Sequence, residues 1–294
     1  MQVSGGQSVE IRKALVAHER PAAIAVVEAA NAAEGLDLPL GFGEDFEPTA
    51  PDADLSRQYT AYAGDVLAGL ANIQTWDEPE VLIVVHPGYR RHGIGRALLA
   101  VVGEDYRRHG ASQLLLVTDE RSTAGKAFIA AVGAEFRLAE YALVLDTATV
   151  DRSRPRLEAL ALRAAAQEDE DLLIRLTAVA FGDPEDATRA FLPPLLRASN
   201  RRFWVITLAD EPIGGIGIVW NESSAGITTF GVVPEHRGRG YGRQILLEVI
   251  DILLAEGYQE ITIDVATENR NALGLYRACG FQETTTFGYY ELTL

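Results

Sequence analysis

The residues Arg90-Arg91-His92-Gly93-Ile94-Gly95 and Arg237-Gly238-Arg239-Gly240-Tyr241-Gly242 spell one pattern, Arg-x-x-Gly-x-Gly, written twice. The copies lie 147 positions apart in a chain of 294. Where such a turn opens a helix, the first backbone N–H groups have no partner inside the helix. The absence of side chains at the glycines lets an anion reach them, and the helix dipole adds positive charge. Arg237, Arg239 and Arg243 can supplement the amides, as can Arg90, Arg91 and Arg96 in the first copy; each exposed contact adds about 1 kcal/mol or less. The chemistry suggested is the holding of a diphosphate. A glycine-rich strand-to-helix turn with no ligand would fit the hexapeptide alone equally well. The pattern is neither the dinucleotide fingerprint nor a P-loop, since it lacks Gly-x-Gly-x-x-Gly with a downstream acid and the Gly-Lys-Ser/Thr ending.

The elements that must carry these turns repeat as well. Val85-His86-Pro87 precedes the first turn and Val232-Val233-Pro234 the second, while Gly110 matches Gly257 and Gly133 matches Gly280. A repeat of this length is a domain, not a solenoid unit. In the first half, apolar spacing predicts a helix over 18–33, a hairpin of 58–63 and 66–73 about Gly64-Asp65, and a strand over 80–85 leading into the turn. A helix over 94–108, a strand over 113–118, a helix over 123–132 and a strand over 141–145 follow. The second half predicts a strand over 157–163, helices over 169–180 and 185–198 with Pro193-Pro194 breaking the latter, and hairpin strands over 203–208 and 213–220. It ends with strand 227–233, helix 240–255, strand 260–266, helix 271–279 and strand 288–293. Asp151-Arg152-Ser153-Arg154-Pro155 reads as a linker, giving domains 1–150 and 151–294. Hairpins followed by strand–helix–strand crossovers imply an α/β class, two tandem domains each with a mostly antiparallel mixed sheet and helices on both faces.

Composition narrows the partners. The net charge is −16, from 42 acidic and 26 basic residues, with the acidity shared between the halves. No basic stripe exists to neutralise phosphates, which argues against nucleic acid. Cys279 is the only cysteine, so neither an intrachain disulfide nor a thiolate cluster can form, and no His/Cys/acid group has metal-ligand spacing. No signal-peptide pattern and no membrane-length apolar run are present, so a cytoplasmic protein with no membrane partner is expected.

Val232-x-Pro234-x-x-Arg237-x-x-Gly240-x-Gly242, with Asn269-x-x-Ala272-x-x-Leu275-Tyr276-x-x-x-Gly280-Phe281 downstream, resembles motifs A and B of the GNAT superfamily of N-acetyltransferases. The resemblance covers both halves, and the tandem layout is similar to mycothiol synthase-like proteins. It implies acetyl-CoA as co-substrate, with no metal. It further implies that the strand before each turn splays from the next strand to admit the pantetheine arm. Val232 and Val233, and Val85 in the first copy, would offer backbone groups to that arm. The diphosphate would lie on Arg237, Gly238, Arg239, Gly240, Tyr241, Gly242 and Arg243, or on Arg90, Arg91, His92, Gly93, Ile94, Gly95 and Arg96. Asn269 would bond the pantetheine, and Tyr276 would protonate the departing thiolate.

Shifting by 147 positions sets Tyr276 against Ile129, Asn269 against Ser122 and Phe281 against Ala134. Isoleucine donates no proton, so the second half is expected to catalyse, and the first to keep a cofactor turn with its chemistry lost or changed. An alkylammonium with a pKa near 10.4 needs about 4.6 kcal/mol to lose its proton at pH 7, which calls for a base. Many members of the superfamily carry a Glu on the strand before motif A; Gly226-Ile227-Thr228-Thr229 has none. Glu222 is the expected catalytic base, with Asp264 as a substitute. In the first half Glu78 and Glu80 occupy the corresponding stretch, which leaves an N-terminal activity open as a second reading. His86, His92 and His236 read as exposed loop residues, Cys279 as a small core residue, and Tyr289-Tyr290 as one core ring and one facing the cleft. The expected activity is acetyl transfer to a small-molecule primary amine by direct attack. The competing readings are a non-catalytic acyl-CoA-binding protein and an acetyltransferase acting on protein N-termini or lysines. A monomer of two pseudo-symmetric domains is compatible with the repeat; the oligomeric state is left open.

Overall fold

Alternating apolar residues and helix-ending glycines build the same succession of elements twice. The structure, a computed structural model, describes residues 9–36, 38, 55–75, 78–150, 159–221 and 223–294. The first succession is β1 (Val9–Arg12), α1 (Arg20–Glu34), β2 (Gln58–Ala63), β3 (Val66–Thr75), β4 (Pro79–Val85), α2 (Ile94–Arg108), β5 (Gln113–Asp119), α3 (Thr123–Val132) and β6 (Glu135–Leu145). The second is β7 (Leu160–Ala164), α4 (Glu170–Phe181), α5 (Glu185–Arg197), β8 (Arg201–Leu208), β9 (Glu211–Trp220), β10 (Ser224–Val232), α6 (Tyr241–Glu256), β11 (Glu260–Ala266), α7 (Arg270–Ala278) and β12 (Phe281–Thr293). The expected linker, Asp151 to Pro155, lies outside the described residues.

Two compact units form, one from Met1–Ala139 with Thr285–Leu294, the other from Glu140–Thr284. In the first, β1 to β4 pair antiparallel in sequence order, β4 runs parallel to β5, and β5 pairs antiparallel with Phe287–Thr293 of β12. In the second, β7 to β10 pair antiparallel, β10 runs parallel to β11, and β11 pairs antiparallel with residues 140–144 of β6. The last strand of each unit therefore comes from the other half of the chain, which a cut between 150 and 151 does not anticipate. Backbone ladders do not read side chains, and the two closing strands present comparable apolar faces: Leu143 and Leu145 enter the second core, Tyr290 and Leu292 the first.

Strand alternation gives each sheet two apolar faces. Val81 of β4 packs with Leu98, Val102 and Ile129 of α2 and α3, whereas Leu82 and Val84 pack with Val26 and Val27 of α1. In the second unit Ile261, Ile263 and Val265 meet Ile245, Val249, Leu273 and Tyr276 of α6 and α7, while on the other face Phe203 and Val205 of β8 meet Leu173 and Ile174 of α4 and Leu192 of α5. Helix α5 runs through Pro193 and Pro194 without the expected break. Proline's fixed φ is helical, and what the pair forfeits is two N–H donors close to the helix end. Leu192, fully buried, and Leu195 and Leu196 hold that last turn on the core.

Candidate active site

Strand β10 is in ladder with β11 from Ser224↔Glu260 to Ile227↔Ile263, and there the pairing ends. Beyond Thr228 its register with β9 shifts, Thr229 takes φ 50°, and pairing resumes at Gly231↔Gly215. The glycines of β9 permit this bend: a Cβ on Gly214 would come 2.2 Å from the Gly231 carbonyl oxygen. The result is a gap between β10 and β11, as the motif resemblance implies. In the first unit β4 and β5 are in ladder only at Glu80↔Leu115 and Val81↔Leu116, so the same gap opens there. The Val233 amide donates to the Ile213 carbonyl at 2.9 Å. By alternation it is the Val232 amide that faces the gap, which removes Val233 from the expected pair. His86 donates likewise to Ala68 at 2.9 Å, leaving the Val85 amide in the matching position.

Each strand ends in a turn that starts a helix. Gly93 and Gly240 cap α2 and α6 with φ of 82° and 87°, a left-handed conformation that a Cβ would strain. The first-turn amides, at Ile94 and Gly95 and at Tyr241 and Gly242, have no acceptor within their helices. Arginines in each turn and at the start of its helix brace it. The Nε of Arg90 donates to Val85 O at 3.2 Å and that of Arg237 to Val232 O at 2.8 Å. Arg96 donates to Ala131 O at 2.6 Å and Arg243 to Ala278 O at 3.3 Å, joining the start of one helix to the end of the next. Arg237 also bonds Ala180 O, and Arg239 bonds Glu235 O at 3.1 Å. These arginines therefore shape the turn as well as charging it.

In the first unit the gap opens into a cleft of about 480 Å³. All the residues expected at this turn line it except His92. Glu34, the last residue of α1, also lines the cleft, and sequence reasoning missed it. Its carboxylate accepts from Arg90 at 2.6 Å, the Ser122 hydroxyl at 3.1 Å and the Ala124 amide at 3.1 Å. Gly35 signals only that a helix ends there, not where its last side chain points.

The second unit differs where chemistry would occur. Tyr276 on α7 is 6% exposed, edge-on to Phe281 with ring centroids 6.3 Å apart. Burial raises its phenol pKa above the ordinary value, and the Asp264 and Cys279 charges add to this, so the hydroxyl keeps its proton. Asp264 is one residue past the last β10–β11 pair, opposite Ala142 of β6. The residue is exposed to solvent, while the protein atoms around it make desolvation the leading influence on its carboxyl. Desolvation, with a smaller contribution from Glu140, pushes its pKa up to about 6. Its counterpart in the first unit is Val117, and that of Tyr276 is Ile129. Glu222, the expected base, lies outside the described residues.

The remaining expected residues have local roles. Asn269 caps α7 by accepting from the Ala272 amide at 3.1 Å, as Ser122 caps α3 by accepting from Gly125 at 2.9 Å. His86 Nδ1 accepts from the Gly88 amide at 3.1 Å. Cys279 is fully buried, its thiol pushed up to about 11 chiefly by desolvation. Tyr290 packs against the first core and donates to Glu120 at 2.6 Å, and burial first, then that carboxylate, pushes its pKa up to about 12. Glu78 bonds Gln113 and Arg137. Among the described residues, no group of three or more His, Cys, Asp or Glu side chains could hold a metal ion, and no helix is long and apolar enough to cross a membrane.

Two gaps, each ending in a glycine-capped helix, now have a counterpart among known proteins. The family model described as Acetyltransferase (GNAT) family matches residues 27–134 and again 167–281. The chain belongs to the GNAT family. As a GNAT acetyltransferase it is 28% identical to a mycothiol acetyltransferase of Thermobispora bispora, covering 96% of this chain and 98% of that one. A mycothiol acetyltransferase of Clavibacter michiganensis subsp. michiganensis is 32% identical, with 72% of each chain covered. In fold, this GNAT protein is similar to a GCN5-related N-acetyltransferase from Sphaerobacter thermophilus, with TM-score 0.75, 21% identity and coverage of 97% and 95%. It is also similar to a tandem GNAT protein from the clavulanic acid biosynthesis pathway, with TM-score 0.68, 18% identity and coverage of 97% and 98%.

Proposed function

We propose that the protein transfers an acetyl group from acetyl-CoA to the primary amine of a small molecule, and that the second unit performs the transfer. The observation that carries this reading is that Asp264, one residue past the last β10–β11 pair, and the buried Tyr276 of α7 are replaced by Val117 and Ile129 at the matching positions of the first unit. GNAT enzymes use acetyl-CoA, which supplies a thioester carbonyl open to attack by an amine. Both turns suit that cofactor, since first-turn amides, glycines without Cβ atoms and a gap-facing valine amide converge in each. In the second unit Arg237 and Arg243 would keep the turn in shape, and the Val232 amide would polarise the carbonyl. Asp264, with a pKa near 6, is ionised at neutral pH yet far closer to it than an ordinary aspartate, and it would take the ammonium proton directly or through water. Tyr276, held protonated, would give its proton to the leaving sulfur.

The mycothiol acetyltransferases matched along nearly the whole chain make the amine precursor of mycothiol the first acceptor to assay. The acidic surface favours basic amines more generally, through long-range attraction. The test is thiol release from acetyl-CoA over an amine panel that includes this precursor. Turnover with one or more small amines, reduced about 100-fold in Tyr276→Phe, supports the reading. Bound CoA with no turnover on any amine would instead make this a binding protein.

A further inference from the structure

The two cradles share their turn and helix start, and one of their differences is a side chain that reaches the first from a neighbouring helix. In the first unit that side chain is Glu34, 14% exposed at the end of α1. Of its three donors, Arg90 belongs to the glycine turn, while Ser122 and Ala124 open α3. The carboxylate thus ties together the turn that ends β4 and the helix that follows β5. Burial would raise its pKa, but the Ala124 amide, Arg90 and Ser122 together lower it, so Glu34 is ionised at neutral pH. At the matching place in the second unit stands Phe181, 53% exposed. A phenyl ring accepts none of these bonds, and Arg237 turns to the Ala180 carbonyl instead.

We infer that Glu34 is the residue that makes the two cradles unequal towards acetyl-CoA, its carboxylate occupying the Arg90, Ser122 and Ala124 donors along the first cleft so that the chain loads cofactor in the second unit alone. A diphosphate approaching the first turn meets an arginine already neutralised and a like charge in a partly buried setting, where screening is weak. A pantetheine arm lying between β4 and β5 would compete with the carboxylate for the Ser122 hydroxyl and the Ala124 amide. The glycines and helix start of the first turn are intact, so its architecture is present and its charge opposes use.

This inference rests on the reading of both turns as acetyl-CoA cradles, and the experiment separates the two. The full chain is titrated calorimetrically with CoA, without acceptor. Wild type is expected to show one site per chain. Glu34→Phe, which imports the second unit's residue, and Glu34→Gln, which keeps the shape without the charge, are expected to show two sites with affinities within about tenfold. Adding Gly95→Glu to Glu34→Phe should return the count to one, placing the gained site in the first unit. In the reverse exchange, Phe181→Glu should raise KM for acetyl-CoA about tenfold or more with a smaller effect on kcat. Two equal sites in wild type, or one site in folded Glu34 variants (judged by circular dichroism), would overturn the role of Glu34 while leaving the cradle reading intact. No CoA binding to wild type or variants would bring down the cradle reading, and this inference with it.

Discussion

Tyr276 and Ile129 are the same position of the repeat, as are Asp264 and Val117, and each exchange swaps a proton carrier for a hydrocarbon. Tyr276→Phe keeps the buried ring and removes only the hydroxyl, so kcat should fall about 100-fold while KM for acetyl-CoA stays within about threefold. Asp264 makes a prediction of two signs. Its folded pKa, about 6, exceeds its unfolded value of 3.8, so the native state holds the proton more tightly. Stability from this group is therefore greatest below pH 3.8 and is lost as pH rises through about 6. Asp264→Asn should raise the melting temperature at pH 7.5 and flatten its decline between pH 4 and 6, while abolishing the acidic limb near pH 6 in kcat/KM. A variant less stable than wild type at pH 7.5 would mean that the carboxylate is satisfied, not strained. Tyr276 stands out in the sequence because the motif that resembles the GNAT superfamily contains it, while the repeat adds only that Ile129 stands at the matching position. Glu34 does not stand out, because its partners Arg90, Ser122 and Ala124 come from two other elements and no spacing in the chain records their convergence.

At the scale of elements, the turn between β4 and α2 contains a testable strain. Arg91 sits at φ 67° and its counterpart Gly238 at φ 74°. A left-handed non-glycine residue costs about 1 kcal/mol, partly offset in the unfolded chain when glycine replaces it. Arg91→Gly should thus raise stability by about 0.5 kcal/mol, seen as a higher denaturant midpoint at unchanged slope; a lower midpoint would show that the Arg91 side chain makes contacts that outweigh the strain. The helix bounds and hairpins followed from apolar periodicity, with α2, α3 and β5 close to the expected limits. The gaps did not follow from periodicity. That between β10 and β11 depends on Gly214 meeting the Gly231 carbonyl closely enough to shift a register, a contact that no single-strand pattern encodes. The Val233 amide escaped for a related reason, since which of two successive amides faces a gap depends on pairing with β9. Pro193 and Pro194 read locally as a break, and the burial of Leu192 beside them, which local preference does not contain, keeps the helix whole.

At the scale of the molecule, the repeat was plain in the glycine turns, yet the composition of each unit was not. β6 and β12 alternate in much the same way, so nothing in either strand says which unit it completes. A chain ended after Thr284 should lose the β5 ladder from Phe287↔Asp119 to Thr293↔Gln113 and the core contacts of Tyr290, Leu292 and Leu294. Hydrogen exchange should then quicken by about 100-fold or more at β5 amides, with β8 and β9 keeping their protection; undisturbed β5 amides would contradict the exchanged ladder. The same arrangement bears on how the protein is made. During synthesis β5 emerges well before residues 287–293, and until they appear it lacks its antiparallel neighbour, so the half translated earlier is the half sealed later. A nascent chain stalled between the two halves would carry an open sheet edge, a moment at which chaperones have most to protect.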